Sequence, residues 1–138
     1  MRAVFADTFY WIAVTTPDDG AYARALEFSR SRPPDQIVTT DEVLSEYLTF
    51  FSGMGPSVRR QAGDNAVALL RNPRVKVMPQ SRESFLAGIE LYRARPDKGY
   101  SLTDCISMIT MRRGGLSEAL TNDRHFEQEG FRALFRTG

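Results

Sequence analysis

Short apolar runs alternate with helical stretches of ten residues or more along this chain, and that alternation limits the folds open to it. Met1 to Ala6 (MRAVFA) reads as a first strand ending at Asp7, and Thr8 to Val14 (TFYWIAV) as the start of a helix. Residues 20–31 place Tyr22, Ala25, Leu26, Phe28 and Ser29 on one side of an amphipathic helix that Pro33 and Pro34 stop. A second strand at Gln36 to Thr39 leads into a helix from Thr40 to Phe51, with Val43, Leu44, Tyr47, Leu48 and Phe51 at helical spacing. Gly53, Gly55 and Pro56 end that helix, and residues 57–71 make another before a third strand, Arg74 to Met78. The spacing predicts a helix over 81–95 with Phe85, Leu86, Ile89 and Tyr92 inward, then a turn from Arg95 to Gly99. Leu102 to Met111 is apolar nearly all round, the mark of a helix buried on several sides, and Gly114 and Gly115 cap it. A strand at Glu118 to Thr121, a polar turn or helix over 122–129 and a last strand from Phe131 to Phe135 complete the pattern.

Strands joined by long helical crossovers pair in parallel, with right-handed connections. The expected architecture is therefore an α/β fold, a three-layer α/β/α sandwich around a central, mainly parallel sheet. At 138 residues the chain suits one domain spanning 1–138, large enough to bury a core without disulfides or a structural metal. A single cysteine, Cys105, excludes an internal disulfide, and a single histidine, His125, excludes a Cys/His zinc site. No apolar run approaches the roughly 20 residues a membrane span needs, and Asp7 interrupts what a signal peptide would continue, so the cytoplasm is the expected location. The net charge of +1 is too small for the field of the whole molecule to attract nucleic acid. Any such contact must be local. Every basic residue but Lys76 and Lys98 is arginine, the side chain best suited to paired phosphate contacts, although an arginine-favouring genome explains this equally well.

In parallel α/β sheets, ligands sit beyond the C-terminal strand ends. Four carboxylates qualify by position: Asp7 after the first strand, Glu46 in the helix after the second, Asp104 opening the buried helix, and Asp123 just past the fourth strand. Each has a plain structural alternative to weigh. Thr39-x-x-Glu42 matches a capping box, which gives Glu42 a local role, whereas Glu46 has none and flanks the apolar stripe beside Val43 and Phe50. Ser101-x-x-Asp104 matches a capping box too, and Asp123 is placed to cap a segment starting at Arg124. Delivery of all four to one sheet edge outweighs these alternatives. Two like charges about 4 Å apart repel by about 4 kcal/mol at an effective dielectric near 20, so such a cluster calls for a cation. Hard oxygen donors point to Mg2+ or Mn2+, and that ion with those ligands points to phosphodiester chemistry.

The same residues resemble a known family. Ala6-Asp7-Thr8, Thr39-Thr40 followed by Val43-Leu44-Ser45-Glu46, Ser101 to Ser107 (SLTDCIS), and Leu120 to Phe126 (LTNDRHF) with Gly130-Phe131 resemble the PIN-domain nucleases, in particular VapC-type toxins, from Ala3 to Phe135. The resemblance implies that Asp7, Glu46, Asp104 and Asp123 form the catalytic, metal-binding pocket, with Thr121 positioning the last acid and Thr8 beside the first. It further implies an endoribonuclease that cuts single-stranded RNA with Mg2+ or Mn2+, usually as a homodimer, silenced by a small antitoxin protein. Related PIN domains also serve in RNA processing outside toxin systems, and a non-catalytic module binding RNA or protein is a further alternative.

Other residues carry two readings each. Arg112, Arg113 and Arg124 are placed to meet RNA phosphates, Arg124 foremost, while Arg112 and Arg113 also suit the C-terminal end of a helix dipole. Tyr10, Trp11, Tyr47, Phe50 and Phe51 are positioned to stack bases, but helical spacing favours core or interface roles. His125 is expected to be a surface or packing residue and Cys105 an inert buried thiol. Two other phosphate-handling classes are excluded. A phosphoaspartate phosphatase needs an acid where Phe9 stands, and a receiver domain needs a late lysine that neither Lys76 nor Lys98 supplies.

Overall fold

The computed structural model describes residues 1–136. Five strands form one sheet in the order β3-β2-β1-β4-β5, every pairing parallel: β1 (Ala3–Ala6), β2 (Gln36–Thr40), β3 (Val75–Met78), β4 (Glu118–Leu120) and β5 (Arg132–Ala133). β1 lies at the centre, with Phe5 opposite Val38 on one side and Ala119 on the other. Val4, Phe5 and Ala6 point alternately to opposite faces yet are all fully buried, so helices cover both faces of the sheet as in the expected three layers. The chain leaves β1 towards β2 on one side and returns to its other side at β4. This reversal of strand order opens the crevice at the C-terminal end of β1 where parallel sheets hold their ligands.

Seven helices surround the sheet among the described residues: α1 (Thr8–Thr15), α2 (Tyr22–Ser31), α3 (Asp41–Phe51), α4 (Pro56–Arg71), α5 (Arg82–Ala94), α6 (Leu102–Arg113) and α7 (Arg124–Gln128). Tyr10, Trp11, Tyr47 and Phe51 are core residues, as helical spacing favours, while Phe50 is about half exposed. Cys105, Ile106, Met108 and Met111 of α6 are buried, in keeping with its nearly uniform apolar character.

Two expectations are corrected. The cap of α3 is Thr40 rather than Thr39: the Thr40 hydroxyl accepts the Val43 N–H at 3.1 Å. Thr39 is still in the sheet, where its hydroxyl donates to the Ala6 carbonyl at 2.9 Å and accepts from Trp11 Nε1 at 3.3 Å. The strand outlasts the sequence signal because β2 keeps its register with β3 through Thr40 and Met78. The second correction concerns α5. Phe85, Leu86 and Tyr92 are exposed, Ile89 is half-buried, and the buried positions are Gly88 and Leu91. A β-carbon on Gly88 would stand 2.5 Å from Ile106 Cγ1, so α5 turns its smallest residue inward to approach α6 closely. Burial here follows fit to the neighbouring helix rather than the count of large apolar side chains.

Gly88→Ala is expected to lower the unfolding free energy by about 1–3 kcal/mol through overpacking against Ile106, measured by urea denaturation; adding Ile106→Val should recover part of the loss.

Candidate metal centre

The four acids arrive from four elements around the end of β1. Asp7 follows the strand directly, and its side chain is buried in the crevice. Thr121, fully buried past β4, donates its hydroxyl to Asp7 Oδ2 at 2.9 Å and accepts the Asp123 backbone N–H at 3.1 Å. One hydroxyl thereby sets the first and last acids against each other. Asp123 is the N-cap of α7, accepting the His125 N–H at 2.9 Å. Asp104 sits in the first turn of α6, held by a capping box in which Ser101 Oγ accepts the Asp104 N–H and Asp104 Oδ2 accepts the Ser101 N–H, both at 3.0 Å. Glu46, on the exposed side of α3, accepts a 2.5 Å hydrogen bond from Thr8 Oγ1. Thr8 thus serves two acids: its hydroxyl binds Glu46, and its backbone N–H, as expected of a residue beside the first acid, favours the charged Asp7 carboxylate.

Burial is the main force raising the Asp7 carboxyl to about 7; the negative charges of Asp104 and Glu46 push the same way, while the Thr121 hydroxyl opposes them. Asp104 is raised as well, by burial and by the charge of Asp123, against the hydrogen bonds from Ser101. These mutual effects mark a single electrostatic unit. Ligand atoms of Asp104, Asp123 and His125 lie within 4.8 Å of one another, a separation one ion can bridge, whereas Asp7 and Glu46 stand outside that trio.

His125 is partly buried and packs edge-to-face on Tyr100, in keeping with the packing role expected of it. Its Nδ1 is buried without a hydrogen-bond partner, 3.4 Å from Asp123 Oδ1 and 3.7 Å from Asp104 Oδ2. The sequence signal was its position two residues after an N-cap acid, where a short helical turn brings the side chain back over the cap. An oxygen-rich donor set with an orphaned, buried nitrogen fits a divalent cation.

Outside the acids, Glu129 ties the surrounding elements together. Its carboxylate, with the side chain only 3% exposed, accepts from Arg95 Nε at 2.8 Å, an Arg112 guanidinium nitrogen at 2.6 Å and the Tyr100 hydroxyl at 2.9 Å. Burial works against its charge, but these donors outweigh burial and bring the carboxyl down to about 2; burial and the same carboxylate push the Tyr100 hydroxyl up to about 12. Arg112 is therefore committed to Glu129, and Arg113 pairs with Glu83 at 2.7 Å. Arg124 is exposed beside Asp123 and makes no ion pair among the described residues. Cys105 is buried, and burial raises its thiol to about 11, so it is inert.

No family model matches the chain. It is 26% identical over 128 residues to the 23S rRNA-specific endonuclease VapC20 of Mycobacterium tuberculosis, in strains CDC 1551 / Oshkosh and ATCC 25618 / H37Rv, covering 93% of this chain and 95% of that protein. The crystal structure of M. tuberculosis VapC20, a sarcin-ricin loop cleaving toxin, superposes with a TM-score of 0.82 at 25% identity over 93% of this chain and 95% of that one. VapBC2 from Rickettsia felis, bound to a DNA fragment from its promoter, shares the fold at a TM-score of 0.65 and 16% identity over 95% of this chain and 96% of that one. In sequence and fold, over nearly its full length, the chain is similar to VapC20.

The raised Asp7 carboxyl gives a stability test. Its stabilising contribution is complete below the unfolded value of 3.8 and is lost as pH rises through about 7. Metal-free protein should therefore lose about 3 kcal/mol between pH 5 and pH 8 from this group alone. Asp7→Asn should flatten that slope and raise the thermal midpoint at pH 8, measured by calorimetry in chelator.

Proposed function

We propose that the chain, as one PIN-like domain spanning 1–138, is a metal-dependent endoribonuclease that hydrolyses RNA phosphodiester bonds, and that it is the toxin of a toxin-antitoxin pair. The observation that carries this reading is the convergence of Asp7, Glu46, Asp104 and Asp123 on one crevice, with Thr121 linking two of them. The likeness to VapC20, a 23S rRNA-specific endonuclease, supports RNA as the substrate, and the shared fold of the VapBC2 structure supports a small antitoxin as partner.

In this reading the four acids hold Mg2+ or Mn2+. A bound ion of this kind supplies Lewis acidity, lowering the pKa of a coordinated water and neutralising charge that builds on the scissile phosphate. The chain's own residues do the positioning. Thr121 keeps Asp7 and Asp123 in fixed relation, Ser101 holds Asp104 by its cap, and Thr8 aims Glu46 into the crevice. Burial of Asp7 keeps water from screening its negative charge, so the ion meets a stronger field than a surface carboxylate offers. Arg124, exposed at the rim, is the side chain available to bind an RNA phosphate.

A homodimer belongs to the same proposal. Phe50, Met54 and Val58, where α3 gives way to α4, leave apolar surface exposed that a second copy or the antitoxin would cover. No helix among the described residues is long and apolar enough to cross a membrane. The cytoplasm, where ribosomal RNA and antitoxin are both within reach, is the proposed place of action.

Asp7→Asn and Asp104→Asn are each expected to reduce Mg2+- or Mn2+-dependent cleavage of a single-stranded RNA by at least about a hundredfold, assayed by gel, while the protein stays folded. Unchanged cleavage in both variants would overturn the enzyme reading. Arg124→Ala should instead raise KM severalfold with little change in kcat, as expected for a phosphate contact that binds ground state and transition state alike.

A further inference from the structure

We infer that His125 is a nitrogen ligand of this centre, making Asp104, Asp123 and His125 a mixed-donor position that prefers Mn2+ to Mg2+. The inference rests on the metal-dependent reading above and goes beyond it in naming a ligand outside the four acids and the ion it selects.

The geometry is the first support. Nδ1 lies 3.4 Å from Asp123 Oδ1 and 3.7 Å from Asp104 Oδ2, both beyond the roughly 2.7–3.2 Å of a good N–H to oxygen hydrogen bond. Two ligand atoms about 2.1 Å from a shared ion stand about 3.0 Å apart at a right angle and about 3.4 Å apart at the tetrahedral angle. The observed separations exceed the first figure, the one for the octahedral geometry of Mn2+ and Mg2+, by about 0.4 and 0.7 Å, so the three groups already face one point and close on it by small side-chain rotations. A buried ring nitrogen without a partner is costly, and a cation between it and the two carboxylates removes the cost.

The ring is also held from behind. Tyr100 meets the imidazole edge-to-face with centroids 5.1 Å apart, and its hydroxyl is fixed by Glu129, which Arg95 and Arg112 clamp in turn. Below the ring, the His125 backbone N–H is bound to Asp123, one of the two acids it faces. The side chain is thus oriented by its neighbours in the manner of metal-ligating histidines, with an aromatic ring doing the holding.

The choice of ion follows from the donor. Carboxylates alone serve Mg2+ and Mn2+ alike, whereas imidazole belongs with transition ions. Adding Nδ1 to two carboxylates therefore tilts the position towards Mn2+.

The test is made on the full chain with Mn2+ alone. Pulsed electron paramagnetic resonance of the wild-type protein should show coupling of the bound Mn2+ to one nitrogen, altered by 15N-histidine labelling. His125→Asn and His125→Ala should lose that coupling, and the preference for Mn2+ over Mg2+, measured by competition, should fall by about tenfold. The asparagine variant keeps a polar atom near the Nδ1 position, so it covers the case in which the alanine variant does not fold. Wild-type protein that binds Mn2+ without nitrogen coupling overturns the inference and leaves the carboxylate centre standing, with His125 as a charge partner of the two acids. Coupling that survives in either variant overturns it equally. Wild-type protein that binds no Mn2+ overturns both this inference and the metal-dependent reading beneath it.

Discussion

The Thr121 hydroxyl makes two hydrogen bonds, giving one to Asp7 and taking one from the backbone of Asp123, and the relation between the ends of β1 and β4 depends on them. Carboxylates brought together repel, and in this fold two of them are buried deeply enough for their protonation to be shifted upward. Structure that holds them together must come from elsewhere. It comes from the sheet, which fixes where β1 and β4 end, and from small polar groups: Thr121, whose hydroxyl serves Asp7 and Asp123, Ser101, which holds Asp104, and Thr8, which holds Glu46. Stability is given up at the crevice and recovered in a core where both faces of β1 are fully covered.

Around that crevice a second polar arrangement has the opposite character. Glu129 is buried yet satisfied on all sides, by two guanidinium groups and a phenol, and its carboxyl is depressed where that of Asp7 is raised. Burial opposes the charge in both cases; the neighbours decide the outcome. Glu129 locks the end of α5, the loop before α6, the end of α6 and the turn after α7 to one point, and two of these segments adjoin Asp104 and Asp123. A rigid, fully paired anion thus supports a cluster of anions that lack counter-charge of their own.

Much of this was legible in the sequence, and the reasons differ between elements. Asp7, Asp104 and Asp123 could be placed because each sits at the end of a strand or the start of a helix, where apolar patterning stops abruptly. Glu46 was legible only through its place in the helix after β2, since its face of α3 is exposed and its link to Thr8 spans 38 positions. The Thr39 cap failed because strand pairing with β3 continued one residue past the hydrophobic signal. On α5, large apolar residues misled: periodicity reports which side chains share a face, but the close approach allowed by Gly88 selected a different face. The direction of the His125 ring was not legible for a related reason. A single histidine beside an acid carries no pattern, and only the turn of α7 against Tyr100 gives its nitrogen a direction.

The central position of the first strand has a consequence for how the protein is made. β1 emerges from the ribosome before either neighbour, and its partner β4 lies more than a hundred residues downstream. Contacts of such sequence separation form late, after the loop between them has closed. A nascent chain therefore carries Asp7 exposed and unpaired until Thr121 has been synthesised, so the acids cannot assemble on a truncated product. The centre can form only after the segment that carries Thr121 and Asp123 has left the ribosome.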